Sequence, residues 1–126
     1  MRLLVIDDDF LILRSIENVI RARRPDWDVD VFQGPIDIGA KLPANQYDVI
    51  LSDIKMPLLD GLSVLRQARI LSPTTPLVFL TGQRAQYETA ALDLGAFAVL
   101  DKPIAVDTLL NVLDAAHCSA RGPSQS

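Results

Sequence analysis

Cysteine and aromatic residues are scarce in this chain. Cys118 is the single cysteine among 126 residues, which excludes an intrachain disulfide and favours a protein of the reducing cytoplasm. Aromatic residues make up 6% of the composition and hydrophobic residues as a whole 49%, so the core must be mainly aliphatic. A chain of this length buries roughly two thirds of its unfolded surface. We therefore predict a single domain stabilised by packed Leu, Ile, Val and Ala side chains.

Long hydrophobic runs and clustered positive charge are also missing. The longest uninterrupted apolar run, residues 96–100, is five residues long, whereas a membrane span needs about 20. The apolar run before Asp7 is too short for a secretory signal peptide. The net charge is −4, and the basic cluster at residues 21–24 indicates the solvated end of a helix rather than a nucleic-acid surface. We expect a cytoplasmic domain that binds neither a membrane nor nucleic acid directly.

Four short apolar runs, and one segment in which Val29 and Val31 alternate with Asp28 and Asp30 as in an edge strand, are separated by amphipathic segments. The predicted strands are residues 3–6, 29–31, 47–52, 77–80 and 97–100. The first predicted helix starts at Phe10 and is bounded by Pro25, and a second, weak helix covers residues 36–42. Asp60 is the predicted cap of a third helix, and Gly95 is the residue that ends the fourth. The residues predicted to be buried are Leu62, Leu65, Ala68 and Leu71 in the third helix, Tyr87, Ala90, Ala91 and Leu94 in the fourth, and Val106, Leu109, Leu110, Leu113 and Ala116 in the last. This alternation predicts an α/β fold, a flavodoxin-like doubly wound (βα)5 domain with a parallel sheet.

Polar side chains follow four of the five predicted strands. Strand one ends in Asp7 and Asp8, strand three in Asp53, strand four in Thr81 and strand five in Lys102, whereas strand two ends in Phe32 and Gln33 without a charge. The functional crevice of such a sheet lies at the carboxyl ends of its strands, where the strand order reverses. The order 2-1-3-4-5 brings the four polar ends together and leaves strand two at the edge.

The chemistry of these side chains points to phosphoryl transfer. Two carboxylates about 4 Å apart repel by about 4 kcal/mol at an effective dielectric of 20, so the acidic group requires a cation. Oxygen ligands suit Mg²⁺ or Mn²⁺. Lys102 supplies a second positive charge, and the Thr81 hydroxyl can donate a hydrogen bond to a phosphoryl oxygen. Because an Asp carboxylate is a known phosphoryl acceptor, Asp53 is the predicted nucleophile.

These residues resemble the receiver domains of two-component response regulators, over about residues 2 to 116. Pro57 and Gly61 also follow Asp53 at the spacing of that family. The resemblance implies the following roles: Asp53 as phosphoacceptor, Thr81 as switch hydroxyl, Lys102 as phosphate-binding lysine, and Asp7, Asp8, Asp53 and the main-chain carbonyl of Lys55 as Mg²⁺ or Mn²⁺ ligands. It also implies a cis peptide bond before Pro103.

The resemblance implies a switch rather than an enzyme, although the domain takes part in its own phosphorylation and dephosphorylation. A sensor histidine kinase or a histidine phosphotransfer protein would donate the phosphoryl group. The response would appear at the face of the fourth helix, fifth strand and fifth helix, which is also a dimer surface and contacts an output domain or a downstream protein. We predict that residues 1–117 form the receiver domain and that 118–126 form a flexible tail or the start of a linker.

The chain departs from the family pattern at three places. Val99 stands three residues before Lys102, where the family has an aromatic switch residue. Ala105 replaces a polar residue that often caps the last helix. Lys55 and Gln83 flank the predicted site, where such neighbours tune the lifetime of the phosphate.

Other functions fit parts of the pattern. A haloacid-dehalogenase-like phosphatase would use Asp7 as nucleophile and Asp9 as acid, but Leu11 does not match that family, and Asp53 would have no role. Its late acidic motif would have to come from Asp107 or Asp114, within the last helix. A flavodoxin-like electron carrier needs a phosphate loop where this chain has three acids. A receiver-like domain that binds partners without phosphate remains a fourth interpretation.

Several of the singled-out residues also have simple structural interpretations. Asp53 alone could be a loop carboxylate, and Thr81 could cap the fourth helix. Asp9 is the best candidate to cap the first helix. We expect His117 to be exposed and inert, Cys118 to be incidental rather than reactive, and Trp27 to be a packing or surface residue rather than a platform for a ligand.

Overall fold

A computed structural model describes residues 1–33, 47–56, 59–60, 65–66, 68–70 and 74–121, with backbone only at residues 55, 56, 59, 60, 120 and 121. In chain order the elements are β1 (Arg2–Asp7), α1 (Phe10–Arg23), β2 (Asp28–Gln33), β3 (Val49–Ser52), β4 (Lys55–Met56), β5 (Leu59–Asp60), β6 (Leu77–Thr81), α2 (Arg84–Asp93), β7 (Ala98–Asp101) and α3 (Val106–Arg121). Residues 65–66 and 68–70 are also helical.

Five strands form a parallel sheet in the order β2-β1-β3-β6-β7. Counting only the strands of this sheet, the order is 2-1-3-4-5, so the predicted α/β fold and its topology are confirmed. Strands β4 and β5 form a separate two-stranded antiparallel ribbon. The register pairs Ile6 with Ser52 and Asp7 with Gln33, which aligns the carboxyl ends of the first three strands.

Both faces of the sheet are covered, because alternate residues of a strand point to opposite sides. Val5 belongs to one hydrophobic cluster with side chains of α1 and α3. The adjacent Leu4 belongs to a second cluster that includes Leu65 and Ala91 of α2. Continuous apolar strands are therefore explained by burial on both sides, as the sequence predicted.

The basic cluster at residues 21–24 is more than a solvated helix end. Arg21 donates a hydrogen bond to the Val29 carbonyl at 2.9 Å. Arg23 forms an ion pair with Asp107, and Arg24 lies 3.4 Å from Asp114. These contacts tie the end of α1 to β2 and to α3, so the cluster has a structural use that the sequence pattern did not indicate.

The last helix is longer than predicted. It runs to Arg121, so residues 118–121 continue α3 instead of beginning a flexible tail at residue 118. Once Leu113 and Ala116 are packed, each further residue adds to an existing helix at small entropic cost. Residues 122–126 lie outside the described part of the chain.

The prediction that His117 is exposed is wrong. Its side chain is 22% exposed and its Nε2 lies 3.8 Å from Asp48 Oδ1, so it is neither fully exposed nor isolated. Cys118 is exposed, and Trp27 is buried, so packing is the one of its two expected placements that the structure shows.

The remaining predicted elements have mixed outcomes. Gly95 adopts a positive φ of 99° after α2, as a residue ending a helix should. Ala90, predicted to be buried, is exposed. Asp60, the predicted helix cap, lies in β5. The predicted helix over 36–42, together with Pro57, Gly61, Leu62 and Leu71, lies outside the described residues.

Asp9 caps α1 and so determines where the acidic loop leaves β1. Its backbone is extended, and its carboxylate accepts hydrogen bonds from the Leu11 and Ile12 amides at 2.9 and 3.4 Å. Its own amide donates to Asp7 Oδ1 at 3.0 Å. The cap therefore connects the first helix to the first of the two acids at the end of β1.

We expect Asp9→Ala to be less stable than Asp9→Asn by about 1 kcal/mol, since Asn keeps the capping acceptor while both substitutions remove the same charge. Urea denaturation followed by the fluorescence of the single tryptophan, Trp27, measures the difference. Equal unfolding free energies for the two variants would contradict the capping role.

Candidate functional site

Backbone hydrogen bonds continue the parallel sheet one residue beyond the ends of β3 and β7. The Asp53 amide donates to the Ile6 carbonyl at 3.0 Å, which brings Asp53 beside the end of β1. The Lys102 amide donates to the Thr81 carbonyl at 2.9 Å, which does the same for β7 and β6. The parallel ladder thus carries these residues to one edge, because all its strands end on the same side.

Three carboxylates meet at this edge. Asp7, Asp8 and Asp53 each offer an oxygen atom, and these atoms lie within 4.8 Å of one another. Asp7 is 3% exposed and Asp53 is 9% exposed, so two of the three acids are largely shielded from water. Charges of one sign held this close require a compensating cation.

Lys102 provides that compensation within the protein. Its Nζ lies 3.1 Å from Asp7 Oδ2 and 3.1 Å from Asp53 Oδ2. Burial by itself would lower the pKa of Lys102, but the charges of Asp53 and Asp7 and their hydrogen bonds raise that pKa above its usual 10.5. The lysine is therefore an ammonium ion throughout the physiological pH range and joins β1, β3 and β7 at their ends.

The acidic cluster destabilises the ionised form of Asp8. Partial burial, hydrogen bonding to Asp7 and repulsion from Asp7 raise the pKa of Asp8 above its usual 3.8. The carboxylate is half-buried and faces the other two acids. A bound cation would relieve this repulsion.

The site residues predicted from the sequence are brought together to different degrees. Asp7, Asp8, Asp53 and Lys102 form one contiguous group. Lys55 lies two residues beyond Asp53 and begins β4. The peptide bond between Lys102 and Pro103 is cis, as predicted.

Thr81 ends β6 and is 1% exposed. Its Oγ1 accepts a hydrogen bond from the Gln83 amide at 3.1 Å, which is a contact at the entrance of α2. The structure thus shows the structural use of this hydroxyl that the sequence left open. Its role as a switch stays a prediction.

Two further side chains donate hydrogen bonds to main-chain carbonyls of the acidic site residues, and the sequence analysis did not identify them. Ser52 is fully buried, and its hydroxyl donates to the Asp53 carbonyl at 2.9 Å. The Gln33 side-chain amide donates to the Asp8 carbonyl at 3.2 Å. Ser52 is a polar residue at the last position of an apolar strand, and Gln33 ends a strand of alternating polar and apolar residues; neither pattern identifies a partner.

The donor set fits a small divalent cation. Three carboxylates supply only oxygen atoms, and oxygen is the ligand that Mg²⁺ and Mn²⁺ prefer.

Within the part of the chain that the structure describes, no helix is both long enough and apolar enough to cross a membrane.

Without divalent cations, we expect Asp8→Asn to raise the free energy of unfolding at pH 7 by about 1 kcal/mol, because it removes one charge from a repelling, partly solvated group. The folded-state pKa of Asp8 is raised, so its ionisation costs the folded protein more than the unfolded chain. The gain should therefore be present above the folded-state pKa and vanish below the usual value of 3.8, where both states are protonated.

Urea denaturation in EDTA at several pH values tests this expectation. Asp26→Asn removes the same charge from an exposed turn and is the matched control. A destabilised Asp8→Asn variant at pH 7, or a gain that persists at low pH, would contradict the repulsion.

Comparison with known proteins gives a consistent picture. Residues 3–114 match the response regulator receiver domain family. The chain is 39% identical to the transcriptional regulatory protein DltR of Streptococcus agalactiae, covering 87% of this chain and 49% of that protein. It is 31% identical to the cell cycle response regulator CtrA of Brucella ovis, covering 100% of this chain and 54% of that protein. The chain thus spans about half the length of the curated relatives it matches.

Solved structures agree with these relatives. A response regulator receiver domain protein from Clostridium thermocellum has a TM-score of 0.86 and 27% identity, covering 95% of this chain and 96% of that one. Full-length FixJ from B. japonicum has a TM-score of 0.87 and 26% identity, covering 98% of this chain and 61% of that one. On the sequence match, the topology and these similarities, the chain belongs to the response regulator receiver domain family.

Proposed function

We propose that this receiver domain accepts a phosphoryl group on Asp53, with Mg²⁺ or Mn²⁺, and acts as a switch rather than as an enzyme. The observation that supports this most is the position of the Lys102 ammonium, 3.1 Å from both Asp7 and Asp53 within the acidic cluster. This arrangement gives Asp53 a neighbouring cation and a second acid with which to share a metal ion.

In the proposed reaction, a carboxylate oxygen of Asp53 attacks the phosphorus of a phosphohistidine. A P–O bond forms, the P–N bond breaks, and its electron pair returns to the imidazole of the donor, which leaves an acyl phosphate on Asp53. Asp53 is held for this attack by the hydrogen bond from its backbone amide to the Ile6 carbonyl and by the hydrogen bond that its own carbonyl accepts from the Ser52 hydroxyl. Such prior positioning lowers the entropic part of the barrier.

The cation site would consist of Asp7, Asp8, Asp53 and the main-chain carbonyl of Lys55. When bound, Mg²⁺ supplies positive charge that neutralises the transferring phosphoryl oxygens. The Lys102 ammonium pairs with the phosphoryl group formed on Asp53.

The Thr81 hydroxyl would act as the switch by exchanging its contact with the Gln83 amide for a phosphoryl oxygen. Thr81 precedes α2 and Lys102 follows β7, so the change would reach the face formed by α2, β7 and α3. A shift of this kind needs a differential interaction of a few kcal/mol, which a multiply charged group can supply. The same face is the proposed dimer surface.

A sensor histidine kinase or a histidine phosphotransfer protein is the proposed donor. Phe10 and Leu11 follow the acidic loop directly and are 54% and 74% exposed, so they offer apolar contact area beside the phosphoacceptor. Because the curated relatives are about twice as long as this chain, we place an output domain or downstream protein outside it. The proposed domain includes α3 to its last residue, Arg121, beyond the boundary at residue 117 that the sequence predicted. We place it in the cytoplasm and without direct contact to nucleic acid.

The proposal predicts that acetyl phosphate with Mg²⁺ adds one phosphoryl group to the wild-type protein and none to Asp53→Asn. Intact-mass spectrometry measures the addition, and EDTA should abolish it. Asp48→Asn, at the opposite end of the same strand, is the matched control and should be labelled like wild type.

Full labelling of Asp53→Asn would overturn the proposed acceptor. Steady turnover of a phosphate ester that depends on Asp7 but not on Asp53 would instead support the phosphatase interpretation.

A further inference from the structure

Gln33 lies outside the acidic cluster but contacts its loop from the edge strand. It is the last residue of β2, and the register pairs it with Asp7 of β1. Its side-chain Nε2 donates to the main-chain carbonyl of Asp8 at 3.2 Å. The side chain therefore continues the hydrogen bonding of the sheet one residue beyond the backbone ladder, to the point where the chain leaves β1.

The neighbours of Asp8 are each held by another contact. The Asp7 carboxylate accepts from the Asp9 amide and from Lys102. Asp9 is held by the first turn of α1 through its carboxylate. The contact from Gln33 acts on the peptide group between these two anchors, so it bears on the orientation of Asp8 in particular.

That orientation matters because the charges of Asp7 and Asp53 push the Asp8 carboxylate away from the cluster. A small rotation about the N–Cα bond of Asp8 would turn its Cβ and its carbonyl together, which would move the carboxylate outward and relieve the repulsion. A hydrogen bond to the Asp8 carbonyl opposes this rotation and keeps the third carboxylate within 4.8 Å of the other two.

We propose that Gln33 is a positioning residue for the divalent cation site, because its amide holds the Asp8 peptide so that the Asp8 carboxylate faces Asp7 and Asp53. This inference rests on the proposed cation site. Gln33 does not touch the cation and acts only through Asp8.

The side-chain chemistry of position 33 makes the inference specific. A methionine has nearly the same length and volume but donates no hydrogen bond. A glutamate has the same shape, but its ionised carboxylate can only accept, so it would repel the Asp8 carbonyl oxygen. Both substitutions should free the Asp8 peptide, although the glutamate also adds a negative charge near the site.

The test compares wild type, Gln33→Met and Gln33→Glu by titration with Mn²⁺, monitored by electron paramagnetic resonance of the free ion, and with Mg²⁺ by calorimetry. We expect Gln33→Met to bind either ion about 2- to 10-fold more weakly than wild type, the range of one solvent-accessible hydrogen bond. Gln86→Met makes the same chemical change at an exposed position of α2 and should bind like wild type.

Two readouts separate positioning from a general structural effect. The amide nitrogen of Asp9 belongs to the same peptide group as the Asp8 carbonyl, so its ¹⁵N chemical shift should change in Gln33→Met without added metal and stay unchanged in Gln86→Met. In an Asp8→Asn background, the further loss from Gln33→Met should largely disappear, because the residue acts through Asp8.

Wild-type cation affinity in Gln33→Met would overturn the inference and leave the proposed function intact. An equal loss in the Asp8→Asn background would overturn it as well, since the effect would then not pass through Asp8. Absence of Mn²⁺ and Mg²⁺ binding by wild type would overturn the proposed function together with it.

Discussion

The site depends on one constraint, which is that three carboxylates are held within 4.8 Å of one another against their mutual repulsion. The fold supplies the holding force in two ways. Backbone hydrogen bonds continue past the strands, so Asp53 cannot move away from the end of β1, nor Lys102 from the end of β6, without breaking the end of the ladder. The Lys102 ammonium then joins Asp7 to Asp53 through two contacts of 3.1 Å.

The free energy gained by burying the apolar core offsets the free energy of this repulsion. Each fully buried aliphatic side chain contributes about 1.5–3 kcal/mol relative to exposure, and β1, β3 and β6 are apolar on both faces. Repulsion between partly screened carboxylates is of similar size per pair. A few buried side chains such as Leu4, Ile50 and Phe79 therefore offset the electrostatic cost, and this explains why the acids follow the most buried strands.

The sequence predicted the part of the site that depends on strand ends. All strands of a parallel sheet end on one side, so a list of the residues after each apolar run was enough to place Asp7, Asp53 and Lys102 together. It could not predict Gln33, because an uncharged amide at the end of an edge strand has no pattern of its own and its partner lies 25 positions away. The contact of His117 with Asp48 and the extent of α3 were missed for the same reason, since both depend on tertiary packing.

The proposed relay from the site to the surface cannot use an aromatic side chain at position 99. Val99 is 4% exposed, pairs with Phe79 across β6 and β7, and as a β-branched residue has little rotamer freedom. Thr81 and Lys102 are instead joined through the backbone at 2.9 Å, so a displacement of one displaces the other. Arg84, the first residue of α2, lies 3.7 Å from Asp101, the residue before Lys102. The end of β7 is thus linked to the end of β6 by a backbone hydrogen bond and to the start of α2 by an exposed ion pair, and these two contacts connect the position of Lys102 to the entrance of α2.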